Sequence, residues 1–220
     1  MNDLSIIQEY MLCAVSDKGT ISGAGTEKLL GFVAAGIFEL QLAGCVAIDG
    51  EAVETSGELP EKLGYLRPMF DFIALKQPIE LDAVVDAYNM SITGKRFAEL
   101  KASVGMSLVE KGLASERRTG LLGGMGYVPE REAVLAVAGR LRAGLLGGGD
   151  MSANDAVLVI LLDRAGCLKR YFSAFECHDI RKKLYELSRS DSAVMVRSMI
   201  AHLESLLASI SISAIFTASM

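Results

Sequence analysis

Side chains suited to catalysis are scarce in this sequence of 220 residues. It contains two histidines, His178 and His202. His178 directly follows Cys177, and adjacent side chains diverge on a helix, so the two cannot form a local nucleophile–base pair. Neither a Gly-x-Ser-x-Gly nor a His-Glu-x-x-His motif is present. We therefore predict no catalytic residue and no metal site, and expect both histidines to be structural or surface groups.

A glycine-rich segment raises the question of phosphate binding. Residues 23–28 read Gly-Ala-Gly-Thr-Glu-Lys and precede a predicted helix, and helix N-termini are places where phosphate can bind. However, no strand leads into the segment, and it completes neither the P-loop motif nor Gly-x-Gly-x-x-Gly. The favoured interpretation is a flexible lead-in to the helix, and no cofactor is expected.

A second segment, near the middle of the chain, is more suggestive of binding. Residues 113–129 are typical of a β-hairpin, here called the second hairpin, whose uncharged tip follows Arg117 and Arg118. The apolar side chains assigned to this tip are Leu121, Leu122, Met125 and Tyr127. An exposed apolar tip beside arginines suits a membrane interface or a protein partner. The alternative is a hairpin packed on its own core or on a second subunit.

These residues must be positioned by a mostly helical body. Residues 29–38 form an apolar run that is too short to span a bilayer, which needs about 20 residues, and such a helix is normally enclosed by others. Two short β-like runs around Asp49-Gly50 predict a first hairpin. Residues 54–66 are expected to be a loop. Helical spacing recurs over residues 4–15, 81–88, 95–111, 130–145, 153–165, 171–187 and 192–211.

The predicted fold is therefore mostly α. We expect one compact domain over residues 1–220, built around a buried central helix, with two short β-hairpins of which one is apolar and protruding. Asn2 or Asp3 is expected to cap the first helix, and Ser152 the helix that begins at residue 153.

Composition narrows the classes of partner. The net charge of -5 argues against a general affinity for nucleic acid or for anionic lipid, because both need positive surface, and leaves open a local basic patch. The four cysteines show no close pairing in sequence and are expected to be reduced and buried. The N-terminal segment lacks a basic lead and a long apolar run, so no signal peptide is expected. We expect a cytoplasmic protein that is peripheral to a membrane if it binds one.

In the order and spacing of several segments, the sequence resembles the Golgi phosphoprotein 3 family over nearly its whole length. These segments are the opening at residues 4–20, residues 38–50, residues 107–113, the apolar hairpin ending in Pro129, and residues 214–217. The resemblance implies a mostly helical adaptor rather than an enzyme. Eukaryotic members bind phosphatidylinositol 4-phosphate on Golgi membranes and the cytosolic tails of glycosyltransferases. Their hairpin contributes to membrane insertion and self-association, a role that would fall here on Leu121, Leu122 and Met125.

The resemblance also implies where a lipid head group would bind. Counted from the shared segments, the family's tryptophan falls on Ala24 and its arginines on Val33, Ala98 and Lys101. Only Lys101 keeps a positive charge, whereas a phosphomonoester is bound by several charge-assisted donors. This chain is therefore interpreted as a divergent member whose head-group site is largely lost. Lys101, Arg117 and Arg118 are the remaining candidate lipid contacts, although for Lys101 the favoured interpretation is an ordinary helix-surface lysine.

Two functional hypotheses follow. The first is a non-catalytic peripheral membrane adaptor whose partners are an anionic or phosphoinositide-containing lipid surface, a second copy bound through the second hairpin, and a protein cargo. The alternative is a winged-helix-like DNA-binding protein, suggested by a helix, a glycine, a strand and a hairpin with six cations nearby: Lys95, Arg96, Lys101, Lys111, Arg117 and Arg118. The acidic composition and the uncharged tip count against nucleic acid as a partner.

Overall fold

The structure of the chain is a computed structural model that describes residues 4–21, 27–89, 94–119, 124–147, 151–189 and 194–217. Over these ranges the chain is 68% helical, with nine α-helices and two small antiparallel sheets. The predicted mostly α fold is confirmed.

The helices follow the predicted periodicity closely. They are α1 (Ile6–Ala14), α2 (Glu27–Leu42), α3 (Arg67–Lys76), α4 (Leu81–Asn89), α5 (Lys95–Glu110), α6 (Arg131–Leu146), α7 (Ala153–Arg164), α8 (Ala174–Ser188) and α9 (Val194–Thr217). Two short 3₁₀ helices, Glu61–Leu66 and Leu168–Arg170, precede α3 and α8.

Helices α1 and α2 pack together at the centre of the core. Every residue of α2 from 31 to 40 is buried, so the predicted buried central helix is confirmed. Helix α1 is buried along its whole length, including the polar residues Gln8 and Glu9. Gly31 lets the two helices approach, because a Cβ there would lie 2.3 Å from the Tyr10 hydroxyl oxygen.

Capping residues fix the start of several helices. Ser5 caps α1 through a capping box with Gln8, so the prediction of Asn2 or Asp3 as the cap is wrong. Ser152 accepts a hydrogen bond from the backbone N–H of Asp155 and caps α7 as predicted. Ser173 and Glu176 form a second capping box at the start of α8.

Both ends of the buried helix α1 have partners that suit the helix dipole. At the N-terminus, the backbone N–H of Ile7 donates to Glu39 Oε2 at 3.2 Å. At the C-terminus, Arg170 Nη1 donates to the carbonyls of Ala14 and Val15 at 3.3 and 3.2 Å. A carboxylate near an N-terminus and a cation near a C-terminus both stabilise a helix. Burial nevertheless raises the pKa of Glu39 above its usual range.

The first hairpin forms as predicted and gains a third strand. Strands β1 (Val46–Asp49) and β2 (Ala52–Thr55) pair antiparallel around the Asp49-Gly50 turn. A two-residue strand, β3 (Ile79–Glu80), pairs with residues 52 and 53 of β2. The loop predicted over residues 54–66 is therefore only partly correct, because it contains the end of β2 and the first 3₁₀ helix.

One hydrophobic cluster collects buried side chains from all nine helices of the described ranges and from β1, β2 and the second hairpin. Cys13, Cys45, Cys167 and Cys177 are free and buried, as predicted.

Candidate functional site

The second hairpin consists of β4 (Ala114–Thr119) and β5 (Gly124–Pro129), paired in register from Ala114↔Pro129 to Thr119↔Gly124. Its turn, with Leu121 and Leu122, lies outside the described residues. Residues paired across antiparallel strands share a face. Tyr127 therefore shares a face with Glu116. Met125 and Arg118, paired two positions nearer the turn, lie on this same face.

Tyr127 anchors the base of the second hairpin on α5. Its side chain is only 3% exposed, and a Cβ at Gly105 would lie 2.4 Å from Cγ of its ring. Burial, and then the Glu116 carboxylate, raise the pKa of the Tyr127 phenol. The placement of Tyr127 at the exposed tip is therefore corrected, because its ring packs within its own chain and is not available to a membrane or a partner.

A second anchor holds the outer edge of β5. The backbone N–H of Tyr127 donates to the Gly19 carbonyl at 3.0 Å, in the turn that follows α1. Gly126 allows this approach, since a Cβ there would lie 2.9 Å from the Gly19 oxygen and 3.1 Å from the Lys18 oxygen. This contact brings the exposed residue Lys18 to the second hairpin, a neighbour that sequence reasoning missed because the two segments are far apart in the chain.

Beyond these anchors, the second hairpin presents cationic and apolar side chains to solvent. Arg117 and Arg118 are exposed, and neither forms a hydrogen bond or an ion pair with the rest of the chain that the structure describes. Met125 is 41% exposed. The hairpin therefore combines two unpaired cations with an accessible apolar side chain, on a base that the protein body holds in place.

Lys101 lies on α5, one helical turn before Gly105. It is half-buried, and burial lowers the pKa of its ammonium group. The second hairpin leaves the C-terminal end of α5, where the Leu113 N–H donates to the Leu108 carbonyl at 2.9 Å. Two residues of a strand advance about 7 Å along the strand axis, which is the distance that four to five residues advance along a helix axis. We infer that Arg118 and Met125, two positions beyond the Tyr127 pair, reach about the level of Lys101.

Comparison with known families identifies the chain. Residues 6–203, most of the chain, match the family model described as Golgi phosphoprotein 3 (GPP34). The chain belongs to the Golgi phosphoprotein 3 family. This family is non-enzymatic. A comparison with curated proteins finds no match.

The positions to which the resemblance assigned head-group residues differ from one another in their surroundings. Val33 is fully buried inside α2, whereas Ala98 is exposed on α5, one turn before Lys101. Ala24 lies outside the described residues. Of the positions that the structure describes, Lys101 alone supplies a donor for a phosphate group.

Three of the six cations that suggested DNA binding have partners within the chain. Lys95 pairs with Glu99 at 3.7 Å, and Lys111 donates to Gln8 Oε1 at 3.3 Å. The guanidinium of Arg96 lies 4.3 Å from the centre of the Phe72 ring. The placement of these three side chains does not favour the DNA-binding alternative.

The histidines and acidic groups show no constellation typical of catalysis. His202 packs against Phe38 with ring centres 5.4 Å apart, and His178 is exposed on α8. In the described ranges, no group of three or more His, Cys, Asp and Glu side chains is placed to hold a metal ion. None of the described helices combines the length and the apolar character needed to cross a membrane.

Proposed function

We propose that this chain is a non-catalytic peripheral membrane adaptor that contacts an anionic lipid surface through its second hairpin. The observation that carries the proposal is the exposure of Arg117, Arg118 and Met125 on a hairpin fixed by Tyr127. Cations attract anionic head groups, and an accessible apolar side chain gains free energy by entering the acyl boundary. The non-enzymatic family also supports a role in binding.

The contributions of the described residues are individually small. A Lys or Arg near an anionic surface contributes about 1 kcal/mol. Full burial of a Met side chain contributes about 1.5–3 kcal/mol, and Met125 is already partly covered. A single copy would therefore attach weakly and reversibly.

Self-association would strengthen this attachment through multivalency. We propose that the second hairpin also mediates self-association, as the family resemblance implies. The outer edge of β5 is covered by the turn at Gly19, whereas residues 115–118 of β4 are all exposed. A strand edge with exposed backbone groups can pair with another chain, so β4 is the edge on which a second copy would add. A protein cargo is a further proposed partner.

The proposed lipid preference is for anionic charge rather than for one head group. Lys101 is the one head-group position in the described part of the chain that keeps a cation, and its pKa is lowered by burial. Several charge-assisted donors are needed to select a phosphomonoester. Phosphatidylserine and a phosphoinositide of equal total charge should therefore recruit the protein about equally.

Vesicle co-sedimentation tests the proposal. Wild type is compared with Arg117→Glu/Arg118→Glu and with Leu121→Asp/Leu122→Asp, on phosphatidylcholine vesicles with and without phosphatidylserine. The control, Lys62→Glu/Lys76→Glu, changes the net charge by the same amount as the arginine variant, at exposed residues outside the second hairpin. Both hairpin variants should lose binding to the anionic vesicles, and the control should retain most of it. Failure of wild type to sediment, or equal binding by all variants, would contradict the proposal.

A further inference from the structure

Helix α8 carries an exposed stripe of aromatic and basic side chains, here called the α8 stripe. Its members are Phe175, His178, Lys182, Tyr185 and Arg189, all exposed. Their spacing alternates between three and four residues, so at about 100° per residue they fall within an arc of about 80°. Phe175 is 75% exposed and Tyr185 60% exposed. Large aromatic side chains this accessible are unusual on a surface that only meets water.

The fold does not require the α8 stripe. Helix α8 is held to the body by its opposite face, where Cys177, Ile180 and Leu184 are buried. Ion pairs at its flanks add to this attachment, between Arg142 and Glu176 at 2.8 Å and between Arg181 and Asp163 at 2.7 Å. Within the stripe, Arg189 lies over the Tyr185 ring, 5.4 Å from its centre.

The charge of the α8 stripe differs in sign from that of the whole protein. Lys182 and Arg189 are positive, and no carboxylate falls within the arc, whereas the chain carries a net charge of -5. Asp179 and Glu186 lie just outside the arc, on one side. Since the Debye length is about 8 Å at physiological ionic strength, a ligand on the stripe would be influenced mainly by the two cations and by these two flanking carboxylates, and little by the rest of the protein.

We propose that the α8 stripe lies on the surface of an anionic lipid bilayer as a second membrane contact. Aromatic side chains prefer the boundary between head groups and acyl chains, and Lys and Arg reach the anionic head groups beside them. From Phe175 to Arg189 the stripe extends about 21 Å along the helix, which lets all five side chains meet a flat surface together.

A single-stranded nucleic acid fits the α8 stripe less well. Bases stack on accessible aromatic faces, and such sites present several of them along a positively charged groove. Here Arg189 covers one face of Tyr185, which leaves Phe175 as the one aromatic ring of the stripe with no ring or cation contact. Stacking therefore has one full platform, whereas a bilayer boundary can accommodate both rings and both cations.

A series of backbone and side-chain contacts connects the second hairpin to the segment that precedes α8. The turn at Gly19 contacts β5, and Arg170 contacts the carbonyls of Ala14 and Val15 just before this turn. Helix α8 starts four residues after Arg170. This inference rests on the proposed membrane function and adds a separate surface to it.

Flotation with phosphatidylcholine vesicles that contain phosphatidylserine tests the inference on the full chain. The stripe variants are Lys182→Glu/Arg189→Glu and Phe175→Ser/Tyr185→Ser. Their matched controls are Lys62→Glu/Lys76→Glu and Leu75→Ser, which remove exposed cations and an exposed apolar side chain (81% exposed at Leu75) on another face. Loss of two cations corresponds to roughly a 25-fold weakening, about fivefold for each, and the charge-reversal variant should weaken binding by at least this factor. The aromatic variant should also lose binding, by roughly tenfold.

The hairpin variant Arg117→Glu/Arg118→Glu is measured in parallel. If it loses binding while both stripe variants bind like their controls, the inference is overturned and the proposed function survives. If wild type does not bind vesicles at all, both are overturned. Binding of wild type to single-stranded RNA or to an acidic peptide through the stripe, without binding to vesicles, would also overturn the inference.

Discussion

Replacing Arg140 by methionine should destabilise the protein strongly, because Arg140 joins three helices. From α6, its two terminal nitrogens donate to both carboxylate oxygens of Glu9 in α1 at 2.7 Å, and its Nε donates to Asp155 of α7 at 2.9 Å. The Glu9 side chain is 6% exposed and that of Asp155 13% exposed. Hydrogen bonding to Glu9 raises the pKa of Arg140, so the cation is present at every pH of interest.

The expected loss follows from what the substitution leaves behind. Without Arg140, a buried glutamate and a nearby aspartate repel each other with no cation between them. Removing one partner of a buried ion pair costs about 3–5 kcal/mol. Replacing both sides of the principal pair is far less costly, so Glu9→Gln combined with Arg140→Met should recover roughly half of the loss or more.

Urea unfolding followed by circular dichroism measures this effect as a change in the free energy of unfolding. Arg131→Met is the matched control, because Arg131 is exposed on the same helix and has no partner in the described ranges. Its effect should stay below about 0.5 kcal/mol. A loss of less than about 1 kcal/mol for Arg140→Met, or no recovery in the double variant, would refute the reasoning.

Three further predictions concern the second hairpin and the pH dependence of stability. Gly105→Ala should force the Tyr127 ring away, cost about 1–3 kcal/mol despite the better helix propensity of alanine, and speed proteolytic cleavage in the second hairpin. Glu176→Gln should lower the melting temperature above about pH 5 but not near pH 2, because Arg142 holds the pKa of Glu176 at about 2 and its stabilisation is lost as pH falls. Burial raises the pKa of Glu39, so the folding stability that its protonated form contributes is lost as pH rises. In urea titrations, Glu39→Gln should therefore gain stability relative to wild type from about pH 4 to about pH 8.

Features encoded by neighbouring residues could be predicted from the sequence. The cap at Ser152, the turn at Asp49-Gly50 and the apolar run of α2 each depend on side chains within a few positions of one another. The cap of α1 was misplaced because several capping residue types precede that helix, and the capping box with Gln8 decides between them in favour of Ser5.

Features that depend on distant contacts could not be predicted. Strand β3 is two residues long and exists because β2 offers it an edge. Tyr127 lies in an uncharged segment that is typical of an exposed tip, yet Gly105 on α5 provides the space into which its ring packs. The buried Glu9 looks like an ordinary polar residue of an amphipathic helix, because its partner Arg140 comes from α6. For the candidate site, the sequence supplied Arg117, Arg118 and Met125, and the structure added Lys18 beside them.

The most direct test of the membrane proposal is the depth of residue 125 in a bilayer. The four native cysteines are buried, so an environment-sensitive fluorophore can be attached selectively to Met125→Cys, with Lys76→Cys as the control. On phosphatidylserine-containing vesicles, the label at 125 should shift to shorter wavelength and be quenched by lipid-attached quenchers, whereas the label at 76 should not. An unchanged spectrum at 125, or equal quenching at both positions, would contradict the account.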